Sequence, residues 1–150
     1  MKELKVSAIN KGTVIDHIPA GRGLKVLEIL NLPEDSTILV AINVRSEKLG
    51  KKDIIKVEGK ILSEEEVNKI ALIAPSATVN IIDNWEVVEK RNVEVPDEIV
   101  GIINCANPNC ITHYEEVKPK FKVISKRPLK LKCYYCERTM EEDTVLKNLL

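Results

Sequence analysis

Cys105-Ala106-Asn107-Pro108-Asn109-Cys110 and Cys133-Tyr134-Tyr135-Cys136 decide how the last third of this chain folds. They hold all 4 cysteines of the sequence, as two close pairs. Two such knuckles can close four thiolates around one tetrahedral Zn²⁺ with Zn–S distances of about 2.3 Å. The spacing of the first pair stands at the long end of the usual range, and that of the second is standard. Disulfides are the competing reading. The first residues do not read as a signal peptide, so an oxidising compartment is not expected. Cys133-Tyr-Tyr-Cys136 also lacks the βαβ context of a redox motif. Four thiolates leave no open coordination position. One Zn²⁺ per chain is therefore expected, holding structure and not activating water.

Outward from the knuckles, segments Ile99–Ile103, Lys120–Ile124 and Leu129–Lys132 alternate like strands, which predicts a small antiparallel sheet around the metal. Residues 97–150 are too few to bury a secure core alone, so a metal staple has a clear role. Arg91 to Asp97, with Pro96 and few large apolar residues, reads as a linker between two domains, 1–96 and 97–150. In the first domain, Lys2–Ile9 and Thr13–Ile18 alternate as strands, and Pro19-Ala20-Gly21 breaks the pattern. Leu24, Leu27, Ile29 and Leu30 recur at helical spacing, and Thr37–Val44 reads as a buried strand. Asp53–Glu58 is a further strand. Ser63-Glu64-Glu65-Glu66 is a capping box for a helix that Pro75 ends. Thr78–Ile82 and Trp85–Val88 form a hairpin around Asp83-Asn84. The order β, α, β, β, α, β predicts an α+β fold: a ferredoxin-like antiparallel sheet with both helices on one face and the other face free for a ligand.

Composition narrows the function classes. The 150 residues carry 23 basic and 23 acidic side chains, a net charge of zero, so no global field attracts nucleic acid or an anionic membrane. No apolar run approaches the roughly 20 residues of a membrane span, and a cytoplasmic location is expected. Aromatic residues are only 3%, leaving Ile, Val and Leu to build the core.

Several motifs then fall in a recognisable order. Gly12-Thr-Val-Ile-Asp-His-Ile-Pro-Ala20, Gly50-Lys-Lys-Asp-Ile-Ile-Lys-Val-Glu58, Leu72-Ile-Ala-Pro-Ser-Ala-Thr-Val-Asn80 and Ile82-Asp-Asn-Trp-Glu-Val-Val88 precede the two cysteine knuckles. Together they resemble the regulatory chains of aspartate carbamoyltransferase, over nearly the whole length. The resemblance implies a non-catalytic subunit of an enzyme of pyrimidine biosynthesis. Such chains dimerise through the N-terminal domain, dock on catalytic chains through the zinc domain, and bind CTP, ATP and UTP as allosteric effectors. It further implies that the base is read near Ile9 and the Ile82–Trp85 turn. Asp16 would accept from ribose hydroxyls, Lys56 would reach ribose and base, and His17 and Lys90 would meet phosphates. Lys52 and Asn80 lie in matching positions. Asn107, Asn109 and His113 would face a catalytic chain.

Read without the family, the same residues are less specific. An Asp-His pair at a strand end can serve a ribose and a phosphate, but is more often a plain surface pair. Lysines bind phosphate as point charges and tolerate loose placement. Trp85 can stack on a base or half-bury in a sheet. Tyr134 and Tyr135 are expected over the knuckle. Asn107 and Asn109 are expected to turn the knuckle while keeping their side chains free for a neighbouring chain. Two other classes compete. Lys118, Lys120, Lys122, Lys126, Arg127, Lys130 and Lys132 suggest a zinc ribbon that binds nucleic acid, although Glu141-Glu142-Asp143 and the scarcity of aromatics oppose it. A small acylphosphatase-like enzyme would need a nucleophile–base pair that the sequence does not offer.

Overall fold

The computed structural model describes residues 9–149. The strand expected over Lys2–Ile9 lies outside them, apart from Ile9, which is buried. Two compact units divide after Glu94.

Alternation along the first strand builds the N-terminal unit. In β1 (Gly12–Pro19), Thr13, Ile15 and Ile18 are buried while Val14 and Asp16 are half-buried. Helix α1 (Gly23–Leu30) follows the break, then β2 (Ile38–Ser46), β3 (Gly50–Glu58), α2 (Glu64–Ile73), β4 (Thr78–Asp83) and β5 (Glu86–Asn92). All neighbouring strands are antiparallel, in the order β2-β3-β1-β4-β5. α1 packs on α2 and on β3, so the helices share one face. Ile15, Ile55, Val57 and Val79 are fully buried beneath them. The ferredoxin-like prediction is met.

Local chemistry sets the boundaries. The Ser63 hydroxyl accepts from the Glu66 N–H, and the Glu66 carboxylate accepts from the Ser63 N–H, completing the capping box. Arg22 donates to the Ile73 carbonyl at 2.8 Å, tying the start of α1 to the end of α2. Gly21-Arg22-Gly23 cradles an internal anion. The N–H groups of Gly21 and Gly23 both donate to Oδ2 of buried Asp53, at 3.0 and 2.9 Å. A Cβ on Gly23 would stand 2.8 Å from that oxygen, so the close approach needs glycine.

Three sequence expectations change here. The segment read as a buried strand is an exposed edge strand: Leu39, Val40 and Ile42 of β2 are exposed, because β2 ends the sheet. The hairpin turns at Asn84-Trp85, one residue later than expected. Both residues hold positive φ, 51° and 69°, as a two-residue turn that matches strand twist requires. β5 also continues to Asn92 and takes the first two residues of the predicted linker.

The C-terminal unit is a sheet of order β6-β7-β8-β9, with β6 (Glu98–Val100), β7 (Lys120–Lys126), β8 (Leu129–Cys133) and β9 (Thr139–Glu141). Its first strand is shorter than expected, and Ile103 makes only an isolated bridge to Leu149. β9 and the short helix α3 (Glu142–Lys147) were not anticipated. Ile99, Ile103, Phe121 and Leu131 form its small core. Among the described residues, no helix is long and apolar enough to cross a membrane.

Candidate functional site

Strand register gathers most of the predicted ligand residues on the sheet face opposite the helices. Lys56 pairs with Val14, Val14 with Asn80, and Asn80 with Lys90, in one row across β3, β1, β4 and β5. Three strand spacings separate the two lysines, about 14 Å. One step along β1 from this row, Lys52 Nζ lies 3.1 Å from Asp16 Oδ1. Burial holds the Lys56 ammonium below its ordinary 10.5, and attraction to Asp16 only partly offsets this. Two nearly buried lysines and one carboxylate thus stand together, and the half-buried histidine lies beside them.

The histidine is placed by a β-bulge. The β1–β3 register shifts between Ile15 and Ile18, and His17 takes a φ of 57°. The His17 N–H donates to Asp16 Oδ1 at 2.6 Å, and His17 Nδ1 lies 3.0 Å from the Thr78 hydroxyl. Bulges of this kind re-aim side chains. The Asp-His pair is therefore a built feature and not a frayed strand end. At the far end of the face, the Trp85 N–H donates to the Asn10 carbonyl at 3.0 Å, which brings the segment after Ile9 to the hairpin. That N–H is consequently committed within the chain. Ile82 is buried, with exposed Val87 opposite it, and Trp85 is 63% exposed. Val14, Thr78 and Val87 were missed in the sequence. Alternation alone could have found Val14, since it shares a face with Asp16.

The four cysteines converge as expected. Their Sγ atoms lie within 4.8 Å of one another. Cys105 and Cys136 are 3.6 Å apart, and Cys110 and Cys133 are 3.7 Å apart. A disulfide requires about 2.05 Å. A tetrahedral ion with bonds of about 2.3 Å spaces its ligands by about 3.8 Å, so the donor set fits a metal of that size. Burial pushes the Cys105 and Cys133 thiols up. It opposes ionisation of Cys136 too, but bonds from the Arg138 N–H, the Asn107 side chain and neighbouring thiols prevail, bringing that thiol to about 7. A cation supplies what the other buried sulfurs lack.

The first knuckle is internally braced. Asn107 Oδ1 accepts from the Asn109 N–H, and the Asn107 carbonyl accepts from the Cys110 N–H, both at 3.0 Å. The Asn107 side chain, expected to be free, is held by the knuckle and by Cys136. Thr112 donates its hydroxyl proton to Cys110 Sγ. His113 Nε2 lies 2.9 Å from the Cys105 carbonyl, which places a proton on that nitrogen. Asn109 and His113 remain exposed, alongside Ile111 and Tyr114 at 48% and 73%. Those last two were not singled out in the sequence. The hydroxyls of Tyr134 and Tyr135 donate to Glu98 and to the Lys118 carbonyl, and the Lys120 ammonium sits 4.4 Å from the Tyr134 ring centre. The basic stretch is partly neutralised, Lys120 by Glu98 and Lys126 by Asp97.

An antiparallel sheet with lysines gathered on its open face, followed by a four-cysteine cluster, defines a two-part protein. Residues 4–94 match the family model for the aspartate carbamoyltransferase regulatory chain, allosteric domain, and residues 97–146 match that for its metal binding domain. The chain is 89% identical to the aspartate carbamoyltransferase regulatory chain of Thermococcus sibiricus, across the full length of both. It is 69% identical to that of Pyrococcus furiosus, covering 99% of this chain and 100% of the relative. Identity to the Methanocaldococcus jannaschii protein of the same name is 56%, over 95% of each chain. The chain belongs to the family of aspartate carbamoyltransferase regulatory chains. It is a non-catalytic subunit with an allosteric domain and a metal-binding domain, whose enzyme partner is the catalytic chain.

Proposed function

We propose that this chain senses CTP, ATP and UTP on the open sheet face of domain 1–96 and transmits their binding to catalytic chains gripped by domain 97–150, with one Zn²⁺ on Cys105, Cys110, Cys133 and Cys136. The observation that carries the proposal is the meeting of Asp16, Lys52 and Lys56 on one face, with His17 presented beside them by a bulge. Asp16 can accept from a ribose diol, while Lys52, Lys56, His17 and Lys90 supply donors over the length of a triphosphate. Ile9, Ile82 and Trp85 frame the base, and Asn80 lies in the middle of the row. Zinc suits four thiolates at this spacing. Asn109 and His113, with Asn107 shaping the knuckle, face the catalytic chain. Exposed Leu39, Val40 and Ile42 on edge strand β2 fit pairing of two regulatory chains through their N-terminal domains.

The test is titration of CTP, ATP and UTP into the assembled enzyme, with and without a bisubstrate analogue on the catalytic chains. Allosteric coupling is reciprocal and typically about 1–3 kcal/mol, so occupancy of the active sites should shift nucleotide affinity by about 5- to 150-fold. Equal affinities in both states would refute the coupling, and no binding in either would refute the nucleotide site.

A further inference from the structure

Two β-bulges oppose neighbouring residues of β3. On the β1 side, register passes from Ile15↔Ile55 to Ile18↔Asp53, so Asp16 and His17 together face Ile54. On the β2 side it passes from Ala41↔Ile54 to Val44↔Lys52, so Ile42 and Asn43 together face Asp53. Each bulge contains one residue at positive φ, His17 at 57° and Asn43 at 60°. Consecutive β3 side chains hold the two bulges from opposite faces of the sheet. Lys52 reaches Asp16, whose carboxylate also takes the His17 N–H. Asp53, 1% exposed, accepts the Asn43 N–H on Oδ1 at 3.0 Å and both glycine N–H groups of the α1 cradle on Oδ2.

We propose that Asp53 is a positioning residue for the ligand face, locking the Asp16–His17 bulge of β1 to the bulge of edge strand β2 through the Lys52–Asp53 peptide. The assignment of ligands to that face is the one given under Proposed function. The physical reason is directional. A short side chain with three fixed N–H donors leaves its own backbone little freedom, and buried backbone donors do not give up an acceptor cheaply. β3 is thereby pinned at residues 52–53, and the base of the Lys52 side chain with it. Asp16 and His17 keep their aim only while that register holds. The loop from Pro19 to Gly23, the ligand face and the β2 edge are joined at one carboxylate.

The experiment uses the full chain with metal bound, comparing wild type with Asp53→Asn. Asparagine offers one acceptor oxygen, so its amide must face a donor either at Asn43 or at the glycine cradle. Amide exchange followed by NMR should be at least about tenfold faster at His17 as well as at Asn43, with Val14 and Ile55 unchanged. CTP affinity, read from the fluorescence of the single tryptophan, should fall at least about tenfold. If Asn43 and Gly23 exchange faster while His17 keeps its wild-type rate, Asp53 only staples α1 and the proposal is overturned. Unchanged CTP affinity in a variant whose His17 amide is loosened also overturns it. A wild-type chain that binds no nucleotide would sink the ligand reading, while the His17 exchange rate still decides whether Asp53 sets the bulge. Should Asp53→Asn not fold, Gly23→Ala presses on the same carboxylate from the cradle side. Faster His17 exchange is expected there too, and an unchanged rate counts against the proposal.

Discussion

The two units solve the same problem of size in different ways. The N-terminal unit sandwiches Ile15, Ile55, Val57 and Val79 of its sheet against Val26, Val67 and Ile70 of its helices, a continuous layer of branched aliphatic side chains. Among its described residues, the C-terminal unit has no second layer of comparable extent. Ile99, Ile103, Phe121 and Leu131 are its largest fully buried side chains, and buried sulfurs stand beside them. One unit sets its polar side chains, Asp16, Lys52 and Lys56 among them, on the sheet face opposite the helices. The other sets four thiols inside, which stay mutually adjacent at little cost only when a cation holds them. The difference teaches that the two should fail independently, and under different insults.

The largest effect expected is on the metal unit. Cys110→Ala removes one of four ligands from a site of the kind worth about 10–16 kcal/mol in small zinc domains. Bound metal by elemental analysis should drop from about one per chain to none, and copurification with the catalytic chain should be lost. The N-terminal unit should keep its cooperative thermal transition. If that transition also vanishes, the units are not independent. The mirror-image variant is Ile15→Ala, which opens a cavity in a fully buried position and should cost about 2–5 kcal/mol in denaturant titration. Metal content should stay at wild-type level. A parallel loss of metal would again merge the two units.

Legibility in the sequence followed the same division. The convergence of the four cysteines could be read because knuckle spacing is local: each knuckle is a few residues long and chemistry fixes the partner count. The shared row of Lys56, Asn80 and Lys90 could be anticipated only by resemblance, because what unites them is cross-strand register, which has no signature within any one strand. The bulge at His17 was invisible for the same reason. The β3 residues it opposes, between Asp53 and Ile55, lie far along the chain. β2 was misread because Ile38, Leu39, Val40 and Ile42 look like a buried strand; a continuous apolar run cannot distinguish a covered strand from an apolar edge. Asp53 escaped notice because an Asp opening a strand looks solvated, and its three N–H donors come from two other segments.

Lys56→Met tests whether the ligand face trades stability for binding. Loss of one charge-assisted bond, about 1.5–3 kcal/mol, should weaken CTP binding by at least about tenfold in calorimetry. The sign of its effect on stability is opposite. Burial lowers the folded-state value for Lys56 below 10.5, so the folded chain sheds this proton before the unfolded chain does. Stability contributed at this position therefore rises as pH climbs from the lowered value to 10.5, and below that window the charged ammonium is a burden. Methionine removes the burden. The variant should be at least as stable as wild type at neutral pH and should lack the alkaline rise. A variant less stable at pH 7 would mean that attraction to Asp16 outweighs desolvation, reversing the order of the two effects.

The smallest effect separates helix capping from both core and metal. Ser63→Ala deletes the hydroxyl that accepts the Glu66 N–H, at a cost of about 1 kcal/mol confined to the N-terminal unit. Glu66 gives the pH signature. Burial opposes its ionisation, but the Ser63 backbone N–H and Lys60 prevail and hold the carboxyl below its ordinary 4.5. A lowered carboxylate stabilises fully above the unfolded value and loses that contribution as pH falls through the folded one. Part of the acid lability of wild type below 4.5 thus belongs to this box. In Ser63→Ala the Glu66 side chain can still bond the Ser63-position N–H, so the acid branch should persist while the neutral-pH plateau drops by about 1 kcal/mol. Glu66→Gln should instead flatten the acid branch. If both variants change the curve identically, the two halves of the box act as one unit and neither bond has a separate energy.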